Sequence, residues 1–359
     1  MHLSKIFLNN FKNHLESSFE LINGVNCFTG KNGIGKTNVL DAVHYLCLTK
    51  SYFNSSDALS INFENDYFVI QGNFIDKNNN YNVLCNLSKN ANKKIKINGK
   101  NYKRFSDHIG KFPVVIISPT DSNLIIEGPD VRRRYLNSSI SQFDNNYLNN
   151  LIDYNRALKQ RNKLLKIYSN QQNFDTLTLE SYNHVLSLKS KYIHKSRKKF
   201  VEQINSIFQK FYAIISKSEE VVRLEYLSHL NDNDMNSLLV DNLEIDKISK
   251  STTHGIHKDD VSLIMNDRLI KKFGSQGQQK TFLISLKLAQ FELLENINKI
   301  KPILLLDDIF DKLDNNRVEE ILSLVDKGFF FQVFITDTSS DRCNRLLKNL
   351  KTRYTIFNL

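Results

Sequence analysis

At 359 residues, 41% hydrophobic and 24% charged, the chain has the balance of a folded globular protein and not of a disordered one, with length enough for one sizeable core and a second lobe. Its formal net charge of +11 favours polyanionic partners through counterion release, although a Trp-free composition crowded with Asn and Lys raises lysine on its own. Cys27, Cys47, Cys85 and Cys343 show no CxxC pair or short spacing, and there is neither a cleavable apolar leader nor a run of ~18 apolar residues, which argues against metal-cluster, secreted and membrane classes and for buried thiols in a cytoplasmic protein.

Residues 6–8 and 25–28 read as strands, the second running into Gly30. A helix is predicted over 37–46, its apolar side set by Val39, Leu40, Val43 and Leu46. Alternating runs between 67 and 97, with an Asn98-Gly99 turn, predict an antiparallel sheet, and 113–117 a buried strand. From about 130 to 250 the texture changes to long helices. Leu151, Tyr154, Leu158, Leu165 and Tyr168 fall near a and d heptad positions, and Phe200, Ile204, Ile207, Phe208, Phe211 and Ile215 keep helical spacing. After about 253 strands and helices return, with very apolar strands at 303–306 and 332–335. The Asn-rich pieces at 78–80 and 169–173 read as loops.

Gly30-Lys31-Asn32-Gly33-Ile34-Gly35-Lys36-Thr37 matches GxxxxGK[ST] between a predicted strand and a predicted helix. In such a loop backbone N–H groups wrap a triphosphate at a helix N-terminus, the lysine reaches the β- and γ-phosphates and the hydroxyl ligates Mg²⁺. ATP and Mg²⁺ are therefore the expected cofactors, bound through Gly30, Lys31, Asn32, Gly33, Ile34, Gly35, Lys36, Thr37 and the following Asn38. The run 303–306 ends in two carboxylates. Asp307, at the strand end, would hold Mg²⁺ with Thr37, while Asp308, one step on, would polarise the attacking water, making Lys36 and Asp308 the catalytic candidates. Without the glycine loop, a core strand ending in a solvated acidic turn would look the same.

Ser275, Gln276, Gly277 and Gln278 open a predicted helix and resemble the ABC signature motif, whose Ser and Gly contact the γ-phosphate held by a second head. An ordinary helix capped by Ser275 is the plainer alternative. Leu313 and Asp314 stand where an ABC D-loop belongs. Asp337 occupies the place where many relatives carry a switch His, and no Q-loop glutamine stands out beyond Gln71 and the stretch 118–121. The expected fold class is α/β: an ABC-type P-loop NTPase head (mixed sheet with flanking helices plus an antiparallel β subdomain) with an inserted helical arm. The head would take residues 1–125 and 251–359, and the arm 126–250.

Several segments resemble the RecF family of bacterial DNA replication and repair proteins. They are Leu8 to Asn13, Ser118 to Asp121 before Glu127-Gly128-Pro129, Arg132 to Leu136, Gln160 to Leu165, Gly255 to Asp260 and Gly274 to Gln279, in family order across almost the whole chain. Ile256 departs from a common Pro, and Lys12, Lys258 and Lys280 from common Arg counterparts. The resemblance implies an ATP-dependent homodimer that clamps double-stranded DNA near single-strand gaps and, with RecR and RecO, promotes RecA loading in recombinational repair and replication restart. It also implies weak, DNA-stimulated ATP hydrolysis used as a switch. A short Asp308, where ABC transporters use Glu, would keep that hydrolysis slow.

Two basic clusters are candidates for DNA: Arg132, Arg133 and Arg134, and a helical stretch with Lys189, Lys191, Lys195, Arg197, Lys198 and Lys199. They would contact phosphates without reading sequence, and a solvated helix face accounts for them equally well. His257-Lys258-Asp259-Asp260 reads first as a salt-bridged turn and second as a group beside the dimer's nucleotide. Other readings stay open. A long-armed SMC-like repair ATPase would need a far longer coiled coil and a hook CxxC. A P-loop small-molecule kinase would make the signature an accident, and a plain DNA-binding module would hold a structural ATP.

Overall fold

The computed structural model describes residues 1–77, 79–168, 176–310 and 314–359. The loop expectations at 78 and 169–173, and Leu313 of the D-loop, lie outside these. The chain begins with the hairpin β1 (His2–Phe11) and β2 (His14–Glu20), and β3 (Val25–Thr29) then runs through the glycine loop into α1 (Lys36–Leu48). A meander of β4 (Tyr67–Asp76), β5 (Asn79–Ser88), β6 (Ala91–Ile97) and β7 (Lys100–Asn101) precedes β8 (Val114–Ile117). Four helices follow: α2 (Asn123–Ile126), α3 (Pro129–Ser141), α4 (Asn145–Tyr168) and α5 (Thr176–Ser216). Next come β9 (Val222–Leu227), α6 (Met235–Asp241), α7 (Leu243–Ser249), β10 (Asp260–Met265), β11 (Arg268–Leu269) and α8 (Ile270–Phe273). The chain closes with α9 (Gln276–Asn298), β12 (Ile303–Leu306), α10 (Asn315–Asp326), β13 (Val333–Asp337), α11 (Ser340–Leu347) and β14 (Tyr354–Asn358).

Two compact units result: Met1–Ser122 with Lys210–Ser218 and Gln276–Leu359, and Asn123–Gln209 with Glu219–Ser275. The second break falls after Ser275, not at 250. The reason is strand pairing: β10 pairs with β9 from Asp260↔Leu227 to Met265↔Val222, and β11 with β10. Residues 251–275 therefore belong with the helices.

In the first unit a parallel sheet of order β14-β3-β13-β12-β8 carries the glycine loop. β3, β8, β12 and β13 are buried along their whole length, as unbroken apolar runs covered on both faces must be. A second, antiparallel sheet has the order β2-β1-β4-β5-β6-β7. Helix α1 is buried from Val39 to Leu48, which fits a helix apolar on all sides. Its Val39, Leu40, Val43 and Leu46 share one core with Leu3, Ile6 and Leu8 of β1, Phe68 and Ile70 of β4, and Ile303, Leu305 and Phe334 of the parallel sheet. Gly72 lets α1 approach β4, since a Cβ there would lie 2.5 Å from a methyl of Leu46 and 2.9 Å from one of Leu3. All four cysteines are free and buried.

The second unit has charge inside it. Arg161 meets Asp246 at 2.6 Å and Arg197 meets Asp259 at 2.6 Å, all four side chains buried. Such ions are tolerated only when every pole is answered. Arg161 also donates to Asn183 and Thr252, both at 2.7 Å. No helix among the described residues is long and apolar enough to cross a membrane.

Candidate nucleotide site

The glycine loop leaves β3 with Gly30 at φ 148° and returns to α1 through Gly33 at 82° and Gly35 at 118°, backbone that L side chains adopt only with strain. Lys36 is buried, and its Nζ donates back to the carbonyls of Gly30 (2.7 Å) and Lys31 (2.9 Å). On the neighbouring strand end, Asp307 Oδ1 accepts from the hydroxyls of Thr37 (2.8 Å) and Thr336 (2.9 Å). The Thr336 oxygen accepts in turn from the backbone N–H of Asp308 at 2.9 Å. Asp308 takes a left-handed φ of 48°. Burial pushes the Asp307 carboxyl above its ordinary value, against the two hydroxyl bonds and the nearby Lys36 charge. Lys36, Thr37, Asp307 and Asp308 thus converge at the C-terminal edge of the parallel sheet, where a doubly wound sheet offers its ligand crevice.

Three further residues that shape this site carried no motif. Asn13, in the β1–β2 turn, donates to the Gly33 carbonyl (2.9 Å) and accepts from Asn38 Nδ2 (2.6 Å). His14 Nε2 lies 3.0 Å from the Gly35 carbonyl and Nδ1 lies 2.9 Å from the Ser17 hydroxyl. A carbonyl only accepts, so the proton sits on Nε2 and the hydroxyl of Ser17 donates to Nδ1; burial lowers the pKa of this ring. A Cβ on Gly35 would stand 2.6 Å from His14 Nε2 and 2.7 Å from Asn13 Oδ1. The hairpin turn therefore clasps the loop from outside, where a glycine is required. Thr336 is the third residue, and its only sequence signal is its place one residue before Asp337 at the end of an apolar strand.

The signature residues open α9: Ser275 and Gln276 are exposed, and Gly277 and Gln278 half-buried. Asp314 caps α10, accepting from the Arg317 N–H at 3.1 Å. Asp337 is buried and bound by Arg342 through both oxygens, at 2.7 and 2.9 Å, and by the Ser339 N–H at 2.6 Å. It works as a strap between β13 and α11. Gln71 pairs with Phe7 and Leu84 in mid-sheet. Residues 118–121 instead follow β8 directly, and there Asp121 is buried, 2.8 Å from Lys287 and hydrogen-bonded by the Tyr52 hydroxyl.

Residues 2–356 match the family model described as RecF/RecN/SMC N terminal domain. The DNA replication and repair protein RecF of Flavobacterium johnsoniae is 47% identical over 359 residues, covering 100% of both chains. The chain belongs to the RecF family. A solved structure described as the recombination mediator protein RecF with ATP in the RecFOR pathway is 32% identical, with a TM-score of 0.89 over 99% of this chain and 95% of that one. A Smc head domain from Pyrococcus furiosus shares the fold, at 16% identity and a TM-score of 0.56 over 99% of this chain and 93% of that one.

For this RecF-family chain the basic clusters need correction. Arg197, a DNA candidate by sequence, is buried and spent on Asp259, the Ile256 carbonyl (2.7 Å), Asn137 (3.0 Å) and the Tyr147 hydroxyl (3.1 Å). It shares a face with buried Ile193, Phe200 and Ile204, a helical stripe that its own spacing gives away. Arg132 is likewise consumed, by both oxygens of Asp260 and by the carbonyls of Leu124 and Glu127. Arg133 binds Asp130 and the Asp259 carbonyl. Arg134, Lys195, Lys198 and Lys199 are exposed. The segment 257–260 is a buried polar turn: His257 bonds Tyr154, Asp259 bonds Arg197 and Tyr226, and Asp260 bonds Arg132.

Proposed function

We propose that the chain is an ATP-driven DNA clamp that acts in recombinational repair and replication restart. The observation that carries this reading is the meeting of Thr37 and Asp307 at 2.8 Å beside Lys36. A hydroxyl and a carboxylate at one strand end suit Mg²⁺, which prefers hard oxygens and takes few protein ligands besides phosphate and water. When bound, Mg²⁺ supplies charge neutralisation across the β- and γ-phosphate oxygens.

Gly30 to Gly35 would wrap ATP with their amides, with Asn38 on the first turn of α1, and Lys36 would exchange its loop carbonyls for phosphate oxygens. Asp308, fixed through Thr336, would orient the attacking water. Its short side chain keeps turnover slow, with DNA as the stimulus. Ser275, Gln276, Gly277 and Gln278 at the exposed start of α9, with Leu313 and Asp314, would complete the nucleotide site of a second copy in trans. ATP would then close a homodimer on duplex DNA near a gap and hydrolysis would reopen it. Arg134, Lys195, Lys198 and Lys199 are the cations left to meet phosphates. The relatives described as replication and repair proteins of the RecFOR pathway support RecR, RecO and RecA as partners, and a cytoplasmic location.

The test is binding of a labelled gapped duplex with ATP, ADP or no nucleotide, with mass followed by light scattering. Tight binding with ATP alone, as a dimer, is expected. Lys36→Arg should bind ATP and lose most turnover, and Asp308→Asn should accumulate the dimer. An Asp308→Asn protein that stays monomeric with ATP would sink the clamp.

A further inference from the structure

The second unit contains a cavity of about 330 Å³ that the ATP cycle does not use. Leu151 and Tyr154 of α4 and Ile256 give it an apolar wall, and Arg133, Arg134 and Asn137 of α3 line it with donors. Donors and acceptors are not balanced there. His257, also lining it, is spent at both nitrogens, by the Tyr154 hydroxyl (2.8 Å) and the Thr252 carbonyl (2.9 Å). The carbonyl accepts, so Nε2 carries the proton and Nδ1 receives the Tyr154 hydroxyl; burial holds this ring neutral, with its pKa down at about 4.

Arg197 has its charge answered by Asp259. The Asn137 carbonyl oxygen accepts from Tyr147 (2.6 Å) and Arg197 (3.0 Å), which fixes the amide and leaves its NH₂ as donor. Among the described residues, Asp130 is the one carboxylate lining the cavity, and Arg133 already holds it, while Arg134 forms no ion pair. What remains is an excess of N–H groups around Arg134 and Asn137.

A carboxylate is satisfied by one guanidinium fork and would leave the amide unanswered. A phosphate monoester brings more charge and three terminal acceptor oxygens, and the volume beyond the donors takes an attached group against Leu151, Ile256 and the Tyr154 ring. Bases lie readily against aromatic faces. We infer that this cavity binds a nucleoside monophosphate, with its phosphate on Arg134 and Asn137 and its nucleoside on the apolar wall. Free mononucleotide and the phosphorylated end of a DNA strand present the same chemistry.

The experiment is calorimetric titration of the full chain with thymidine monophosphate, thymidine and succinate. Thymidine monophosphate should bind, thymidine about tenfold or more weaker, and Arg134→Ala, a surface change, should cost about tenfold or more. Lys36→Ala should leave this binding unchanged, which separates the cavity from the P-loop. Short oligonucleotides with and without a 5′-phosphate then assign the source. A phosphate-dependent gain that Arg134→Ala removes points to a strand end, and its absence, with mononucleotide binding intact, points to the free nucleotide. The inference is overturned if thymidine monophosphate fails to bind, if its binding follows Lys36 and not Arg134, or if succinate competes equally. The last result would make the cavity a seat for an acidic side chain of a protein.

Discussion

Asp259→Ala is the sharpest test of how the arm is held together. It removes the carboxylate that faces Arg197 at 2.6 Å, in a place where the Arg197 side chain is 2% exposed. The guanidinium would keep neutral acceptors at Tyr147, Ile256 and Asn137 but lose its counter-ion, and the Tyr226 hydroxyl would lose its acceptor. Orphaning one partner of a buried pair costs about 3–5 kcal/mol. That figure is a penalty for a stranded charge, so Arg197→Met/Asp259→Leu should recover most of it.

The assay is urea unfolding followed by far-UV circular dichroism for the wild type, both single variants and the pair, read as a double-mutant cycle. An Asp259→Ala protein within ~1 kcal/mol of wild type would refute the burial argument. The same proteins decide the fate of Arg197 as a DNA ligand. If its guanidinium never meets phosphate, the double variant binds duplex with an unchanged salt dependence. A log–log slope shallower by about one would return Arg197 to the DNA interface.

Gly35→Ala should cost about 2 kcal/mol or more in nucleotide binding, from the positive φ and the overlap with His14 and Asn13; wild-type affinity for a fluorescent ATP analogue would contradict this. Thr336→Val keeps the shape but orphans the Asp308 N–H and strips one bond from Asp307, at about 1–3 kcal/mol for the stranded donor. Turnover should drop about tenfold with ATP still bound, and a phosphate-release assay at wild-type rate would show that Asp308 is held by other means. Asp307 titrates above its ordinary 3.8. Its ionisation cost is therefore absent below that value, sets in as pH rises through the window up to the raised value, and persists above it. In EDTA without nucleotide, Asp307→Asn should melt higher than wild type at neutral pH and lose that advantage toward about pH 4. A lower melting temperature at neutral pH would count against the burial cost.

The parts of the site that sequence reveals are those written as contiguous chemistry. The glycine loop, Thr37 and the paired aspartates keep fixed spacings because backbone geometry demands them. Asn13, His14 and Thr336 act through single bonds between distant segments, and nothing in their neighbourhoods marks them. Arg197 misled because it sits among lysines, although its phase with Ile193, Phe200 and Ile204 assigns it to the buried face. The boundary near 250 was displaced to Ser275 for a similar reason. The alternation of Val222, Leu224 and Tyr226 is a half-buried strand signal, short enough to be lost beside a 41-residue helix.

The strand that delivers the glycine loop has neighbours only from the far end of the chain. Val25 pairs with Val333 on one side and with Tyr354 on the other. During synthesis the loop leaves the ribosome early, yet the two strands that fix its direction, and the Thr336 and Asp307 that face it, come late. A nascent chain therefore cannot hold nucleotide until nearly all of it has been made, and contacts so distant in sequence are slow to form. Gain of ATP affinity would mark the end of folding, so the ligand itself would serve as a proofreader that distinguishes finished molecules from truncated ones.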